Sequence, residues 1–278
     1  YSATAGHVAV TVTDRLGQPA ALHAVRVEGP GSPPVRFITT NAEGCAFFAF
    51  LPPGSYTVSL GTNSPTTYID QASGGPNPIK TVTVAAGGAT AAALFAYDRQ
   101  ATLRVDPEPP LGAESTTAMA PPDMAYTLAN TDLPSGTKIF AGNGEPREFT
   151  GLFPYPSGYG VWAGKCPAAN PTLNGATGLQ TFAAEPGEVT AGTLTTALVR
   201  LRVVDALGAP RSGRPATATM DVGDGCVETL ALGSSNALGE IVVAMPYGPW
   251  QFRAGGPPEN AVLTTASPLP VEIQVLSP

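Results

Sequence analysis

The residues able to do chemistry in this chain are few and scattered. Cysteines stand only at positions 45, 166 and 226, so at least one is unpaired unless it bonds between chains. Cys166 and Cys226 lie in loop-like stretches, whereas Cys45 opens a strand. A Cys166–Cys226 disulfide is therefore expected, with Cys45 left as a small buried hydrophobe. No Cys-x-x-Cys pair and no Cys/His cluster is present, and the two histidines, His7 and His23, are remote from any cysteine. No metal site or cofactor is expected. Asp221-Val-Gly-Asp224-Gly225 has the flavour of a calcium loop but lacks the further oxygen ligands and the closing Glu. No Gly-x-Ser-x-Gly elbow occurs, and Gly233-Ser-Ser-Asn has no histidine nearby. Asp14, Glu43 and Asp205 fall at turns, where carboxylates bond to backbone N–H groups. The expectation is no catalytic residue and no enzyme.

The elements around these residues are short. Val8-Ala-Val10-Thr-Val12 alternates with period two, as does Tyr56-Thr-Val58-Ser-Leu60. Between them Asn41-Ala-Glu-Gly44 turns, residues 45–51 form an apolar strand, and Pro52-Pro53-Gly54 reverses the chain. The expectation is a hairpin. A second copy runs from Asn236 through Gly239 to Pro246-Tyr-Gly248-Pro-Trp250, and a looser one from Leu152 to Trp162. The turn Asp14-Arg-Leu-Gly17-Gln-Pro19 also returns, as Asp205-Ala-Leu-Gly208-Ala-Pro210. The repeated structural positions are thus Asp14, Gly17, Pro19, Gly44, Gly54, Tyr56, Asp205, Gly208, Pro210, Gly239, Gly248 and Trp250.

Composition agrees with a chain of many short strands. Gly contributes 32 residues and Pro 30, yet 43% of the chain is hydrophobic. Ala-rich Gly88 to Phe95 is the best helical candidate, although Thr90 to Tyr97 reads as the closing strand. Net charge is −7, and the 14 basic residues form no cluster, which argues against nucleic acid and anionic membrane surfaces. No apolar run reaches the ~18 residues of a membrane span. The expectation at the N-terminal end is a mature or trimmed terminus, because Tyr1 is not followed by the basic and apolar regions of a signal peptide.

The order Asp14-x-x-Gly17-x-Pro19, Asn41-Ala-Glu-Gly44, Phe48 and Leu51-Pro-Pro-Gly54-x-Tyr56 resembles the carboxypeptidase-regulatory-like, collagen-adhesin B-type (prealbumin-like) immunoglobulin-like modules of bacterial surface proteins. The match covers most of residues 7–97. The resemblance implies an all-β chain of three tandem immunoglobulin-like β-sandwich modules, at 1–98, 99–197 (divergent) and 198–278 (short). Many such modules carry a Lys–Asn isopeptide bond. Thr11 and Thr13 stand where the first-strand lysine would be, so none is expected in the first module, nor at Lys138 or Lys165. Tyr97-Asp-Arg99, Leu152-Phe-Pro154 and Val161-Trp-Ala-Gly-x-Cys166 make the chain similar to the extracellular parts of pilin-like proteins of high-GC Gram-positive bacteria.

That likeness implies an extracellular, cell-surface structural subunit of a filament or pilus. Its partners would be identical subunits or a helix-bearing pilin subunit, joined by strand addition, with the terminal segments 1–6 and 269–278 the most available. A different class, a secreted or surface adhesin, would display aromatics to carbohydrate or host protein. Tyr68, Tyr155, Tyr159 and Trp250 are the candidates, though sandwich corners use such residues in the core.

Overall fold

The computed structural model describes residues 4–30, 34–61, 67–108, 120–140, 147–166, 180–223 and 225–278. Every regular element in them is a strand. The first stretch holds β1 (Gly6–Thr13), β2 (Ala24–Glu28), β3 (Val35–Thr39), β4 (Cys45–Leu51), β5 (Gly54–Gly61), β6 (Tyr68–Asp70), β7 (Ile79–Val84) and β8 (Thr90–Arg99). The second holds β9 (Ala101–Glu108), β10 (Tyr126–Ala129), β11 (Thr137–Phe140), β12 (Arg147–Leu152), β13 (Tyr159–Ala163), β14 (Gln180–Phe182) and β15 (Val189–Thr195). The third holds β16 (Ala197–Val204), β17 (Pro215–Gly223), β18 (Cys226–Ser234), β19 (Glu240–Met245), β20 (Gly248–Arg253), β21 (Glu259–Leu263) and β22 (Val271–Leu276). The Ala-rich helical candidate is strand β8. Its alternate residues Ala93, Phe95 and Tyr97 are buried, and that period-two burial outweighs the helix propensity of alanine.

The strands of each stretch pair only among themselves, in two sheets. The orders are β4-β1-β8-β6 with β3-β2-β5-β7, then β12-β9-β15 with β11-β10-β13-β14, then β19-β16-β22 with β18-β17-β20-β21. Position for position the three stretches share one plan, with β6 an addition in the first. In each, the opening strand lies between an antiparallel neighbour and the parallel closing strand, as β1 does between β4 and β8. The third stretch, despite its length, holds all the strands of this plan.

This topology corrects the hairpin. β4 and β5 are not hydrogen-bonded to each other; they belong to opposite sheets, and so do β12 and β13, and β19 and β20. Each aromatic corner is an arch across the sandwich. Pro52 and Pro53 lack the N–H groups that would continue a ladder. Phe50, at φ 56°, sits in a region that costs a bulky residue strain. The aromatic that follows each arch ties it down. Tyr56 Oη donates to the Pro52 carbonyl at 2.9 Å, Trp250 Nε1 to that of Pro246 at 2.8 Å, and Tyr159 Oη to that of Phe153 at 2.8 Å.

The repeated turn is built identically in both copies. Asp14 Oδ1 accepts the N–H groups of Leu16 and Gln18, and Asp205 Oδ1 those of Leu207 and Ala209. Pro19 and Pro210 close single bridges to Thr13 and Val204. Gly17 and Gly208 have left-handed backbones, at φ 73° and 83°. At Gly44 and Gly239 space is the constraint, because a Cβ would lie 2.4 Å from the Val12 carbonyl oxygen and 2.7 Å from that of Val203. The hydrogen bonds from Ala209 and Leu207 hold the Asp205 carboxyl below its ordinary value of 3.8. A depressed acid contributes stability above its unfolded pKa and loses it as pH falls through the folded one. Asp205→Asn is therefore expected to melt below wild type at pH 7, with the difference closing as pH drops below 3.8. Parallel melting curves of the two proteins at all pH values would refute this.

The buried side chains form two clusters. One, from Val8 to Tyr97, fills the first stretch. The other runs without a break through the second and third stretches and takes in Ile69 of β6. The joints are single residues, Gln100 between β8 and β9 and Thr196 between β15 and β16.

Candidate functional site

The joints are the most elaborated places in the molecule. At the first, Arg15, in the Asp14 turn, donates from Nη1 to the Ala184 carbonyl at 3.0 Å and pairs through Nη2 with Glu185 at 2.7 Å. Its backbone N–H donates to Asp98 Oδ2 at 3.0 Å. Beside this contact Ile69, Gln71, Leu133, Leu152, Phe153 and Tyr155 line a groove of about 320 Å³. Tyr155 Oη donates to the Asp132 carbonyl at 3.1 Å, and burial, with the Asp132 and Asp70 charges, pushes its pKa up to about 12. Tyr97 is pushed up to about 12 in the same way, chiefly by burial and next by Asp70. These phenols are neutral hydrogen-bond donors at physiological pH, which suits structure and not acid–base work.

At the second joint Cys166 and Cys226, 60 residues apart, form a disulfide between β18 and the segment after β13; Cys226 lies not in a loop but at the start of β18, paired with Gly223. The buried carboxylate of Glu228 accepts the Lys165 backbone N–H beside it, and burial raises its pKa. Asp123 accepts the Ala231 N–H through Oδ1 at 3.0 Å.

Several expected placements differ. Cys45 is exposed, not buried. The run 45–51 is apolar on both parities, and pairing with β1 sends Ala46, Phe48 and Leu51 inward, so Cys45 and Phe47 face outward. Tyr155, Tyr159 and Trp250 are buried at corners, and Tyr68 is half-buried against His23 and Tyr97, so none is displayed for a ligand. The segment 269–278 is engaged, since β22 pairs along β16, and Gly6 begins the central strand β1. Residues 1–3, Asp224 and the side chain of Lys138 lie outside the described residues. Asp221 Oδ1 accepts the Gly223 N–H at 2.9 Å, a turn bond. Among the described residues no group of three His, Cys, Asp or Glu side chains is placed to hold a metal, and no helix is long and apolar enough to cross a membrane.

Two features escaped the sequence. One is the pair of adjacent sheet edges β3 and β4, which expose Phe37, Ile38, Phe47 and Phe50 and are bridged by Arg36 Nη1 donating to the Ala49 carbonyl at 2.9 Å. The other is an open groove of about 550 Å³ over β17, β20 and β21, where Thr219, Asp221, Gln251 and Asn260 gather. Their polar types carry no motif, so only the sheet order brings them together.

No protein-family model matches the chain, and no characterised protein matches it in sequence. Among solved structures it is similar to the Bacillus anthracis TIE protein, at 16% identity over 99% of this chain and 50% of that one, with a TM-score of 0.32. The chain thus spans half the length of that protein. It is also similar to BcpA, the major pilin subunit of Bacillus cereus, at 13% identity over 98% of both chains and a TM-score of 0.28. For the shaft pilin SpaA from Lactobacillus rhamnosus GG the figures are 10%, 69% of this chain, 98% of that one, and 0.26. Likenesses this remote assign no function.

Proposed function

We propose that this chain is a structural subunit of an extracellular surface filament or pilus, its modules lying at 1–98, 99–197 and 198–278. The observation that carries the reading is the way the three sheet pairs are joined. Single residues, Gln100 and Thr196, separate the closing strand of one pair from the opening strand of the next. An ion pair with further hydrogen bonds fixes the first joint, and a disulfide the second. A flexible tether needs none of these contacts, whereas a stalk that transmits load along its length does. The partners would be further copies or a helix-bearing pilin subunit, and added strands would dock on the open edges β3 and β4. Electron microscopy of the native source with an antibody to this chain tests it: label spaced regularly along filaments is expected, and label confined to dispersed particles would end the reading.

A second reading, a carbohydrate-binding adhesin, draws on the groove at Asp221, Gln251 and Asn260, whose planar polar side chains suit sugar hydroxyls. Binding on a glycan array that Gln251→Ala abolishes would favour it.

A further inference from the structure

The three sheet pairs share one plan but not one surface. In the third stretch the outer face of the sheet around β16 is charged. Across β19-β16-β22 one row reads Glu240–Arg202–Gln274 and the next Val242–Arg200–Glu272. Arg200 pairs with Glu272 at 2.6 Å and Arg202 with Glu240 at 3.6 Å. In the second stretch the corresponding row is Glu148–Arg104–Ala191. In the first stretch the equivalent rows across β4-β1-β8 are Cys45–Thr11–Leu94 and Phe47–Ala9–Ala92. His7 pairs with Thr90 and Thr13 with Ala96 at the two ends. Between those rows no Asp, Glu, Lys or Arg among the described residues occurs on the face. Charge begins only at its margins, with Asp98 at the first joint, Lys80, whose Nζ donates to the Leu94 carbonyl from one side, and Arg36, whose Nη1 donates to the Ala49 carbonyl from the other. The opposite outer face of the same sandwich carries the Arg26–Glu28 ion pair, so the bare face is particular to this sheet.

The face also has relief. Phe47 is 52% exposed, Phe50 63% and Leu94 63%, and they stand at its two edges. Ala9, Thr11 and Ala92 form the low ground between. His7 braces the Phe edge, with ring centroids 5.3 Å from Phe47 and 5.8 Å from Phe50, and its Nδ1 accepts the Phe50 N–H at 3.3 Å.

We infer that this face is a self-association surface that takes the same face of a second copy. Three observations select that occupant. The chain carries net charge −7, so two copies repel except where charge is absent. A charged partner finds no counter-charge within the face, and a glycan finds few polar groups, the threonine hydroxyls and the Nε2–H of His7, whose Nδ1 is already engaged. The relief is self-complementary. With one copy turned about an axis parallel to the strands, β4 of each lies over β8 of the other. Phe47 then meets Ala92, and Leu94 meets Cys45, large against small in each row. Sheets packed this way sit about 10 Å apart, and the ridge-to-trough pairing fills that gap.

The patch is small. Three strands at ~4.8 Å spacing and four rows at ~6.8 Å cover only a few hundred Å² per partner, below the ~800 Å² of a standard complex. A single contact is therefore weak, with a dissociation constant of order 0.1–1 mM, and becomes effective when copies are arrayed. The inference concerns the isolated chain and does not require filaments.

The test is sedimentation equilibrium of the 278-residue chain up to ~1 mM, under reducing conditions mild enough to keep Cys45 free. A reversible monomer–dimer equilibrium is expected. Thr11→Arg with Cys45→Glu installs the pair that the third stretch holds as Arg202 and Glu240, in the same rows. This variant should keep the wild-type melting temperature and weaken dimerisation at least tenfold. Adding charge to the opposite face, with Thr57→Glu, should leave dimerisation unchanged. A wild-type chain monomeric throughout the range overturns the inference, as does a grafted variant that dimerises as well as wild type. If the graft lowers the melting temperature, Ala9→Glu replaces it with the same two outcomes.

Discussion

Trp250→Ala is expected to lower the unfolding free energy of the chain by about 3–5 kcal/mol, the range for truncating a large buried aromatic. Trp250 is 1% exposed, and its Nε1–H satisfies the Pro246 carbonyl at 2.8 Å. Alanine would open a cavity under the arch and leave that buried carbonyl unpaired, a further cost of about 1–3 kcal/mol where water cannot reach it. Trp250→Phe separates the two terms, since it keeps most of the ring but not the donor. The reach of the effect is as informative as its size. Trp250 belongs to the buried cluster that runs through the second and third stretches, while the first stretch has its own. Urea unfolding should therefore show a shifted transition for residues 101–275, with the transition of the first stretch left in place. A loss below about 1 kcal/mol, or an equal shift of every probe, would contradict the arch and the shared core.

The second large effect comes from the disulfide. The Cys166–Cys226 bond closes a 60-residue separation. The chain-entropy model gives about 4 kcal/mol for a loop of that length, within the usual ~2–4 kcal/mol once strain and residual structure are allowed for. Cys166→Ser with Cys226→Ser should lower the melting temperature of the second and third stretches and spare the first. Peptide mapping without reduction checks the pairing directly: a peptide crosslinked through Cys45, or a double variant as stable as wild type, would overturn it. Cys166 is fully buried but Cys226 is half-buried, so reductant should attack the bond from the Cys226 side. Exposed Cys45 should react with a thiol reagent in the native state.

Much of this was legible in residues that act locally. Asp14 and Asp205 announce their turns because the carboxylate bonds the N–H groups two and four residues on, wherever the turn sits. Gly44 and Gly239 announce the close approach of backbone that only glycine allows. The Pro-Pro-Gly and Pro-Tyr-Gly corners announce a reversal, because proline cannot extend a ladder. They do not announce its destination. A reversal within one sheet and an arch between two sheets use the same residues, so a corner expected to be a hairpin is an arch in the fold. The middle stretch was legible only in part, for its corner is longer and no Asp-x-x-Gly-x-Pro turn follows its opening strand.

From the residues alone came the β class, the strands of the first stretch, the repeated turns and the recurrence of the corner, because each follows from period-two alternation or from the backbone limits of Gly, Pro, Asp and Asn; β12, β17 and β18 were not legible there. Only the tertiary structure decided which sheet each strand joins, since pairing is set by contacts far apart in the chain. It also decided which parity of 45–51 faces water. With apolar residues on both sides of that strand, alternation carries no sign, and the register with β1 turned Cys45 and Phe47 outward. For the same reason the uncharged face was invisible. Its rows gather residues from positions 7–13, 45–50 and 90–96, and no segment read alone reveals that Arg200 and Glu272 have no counterparts there.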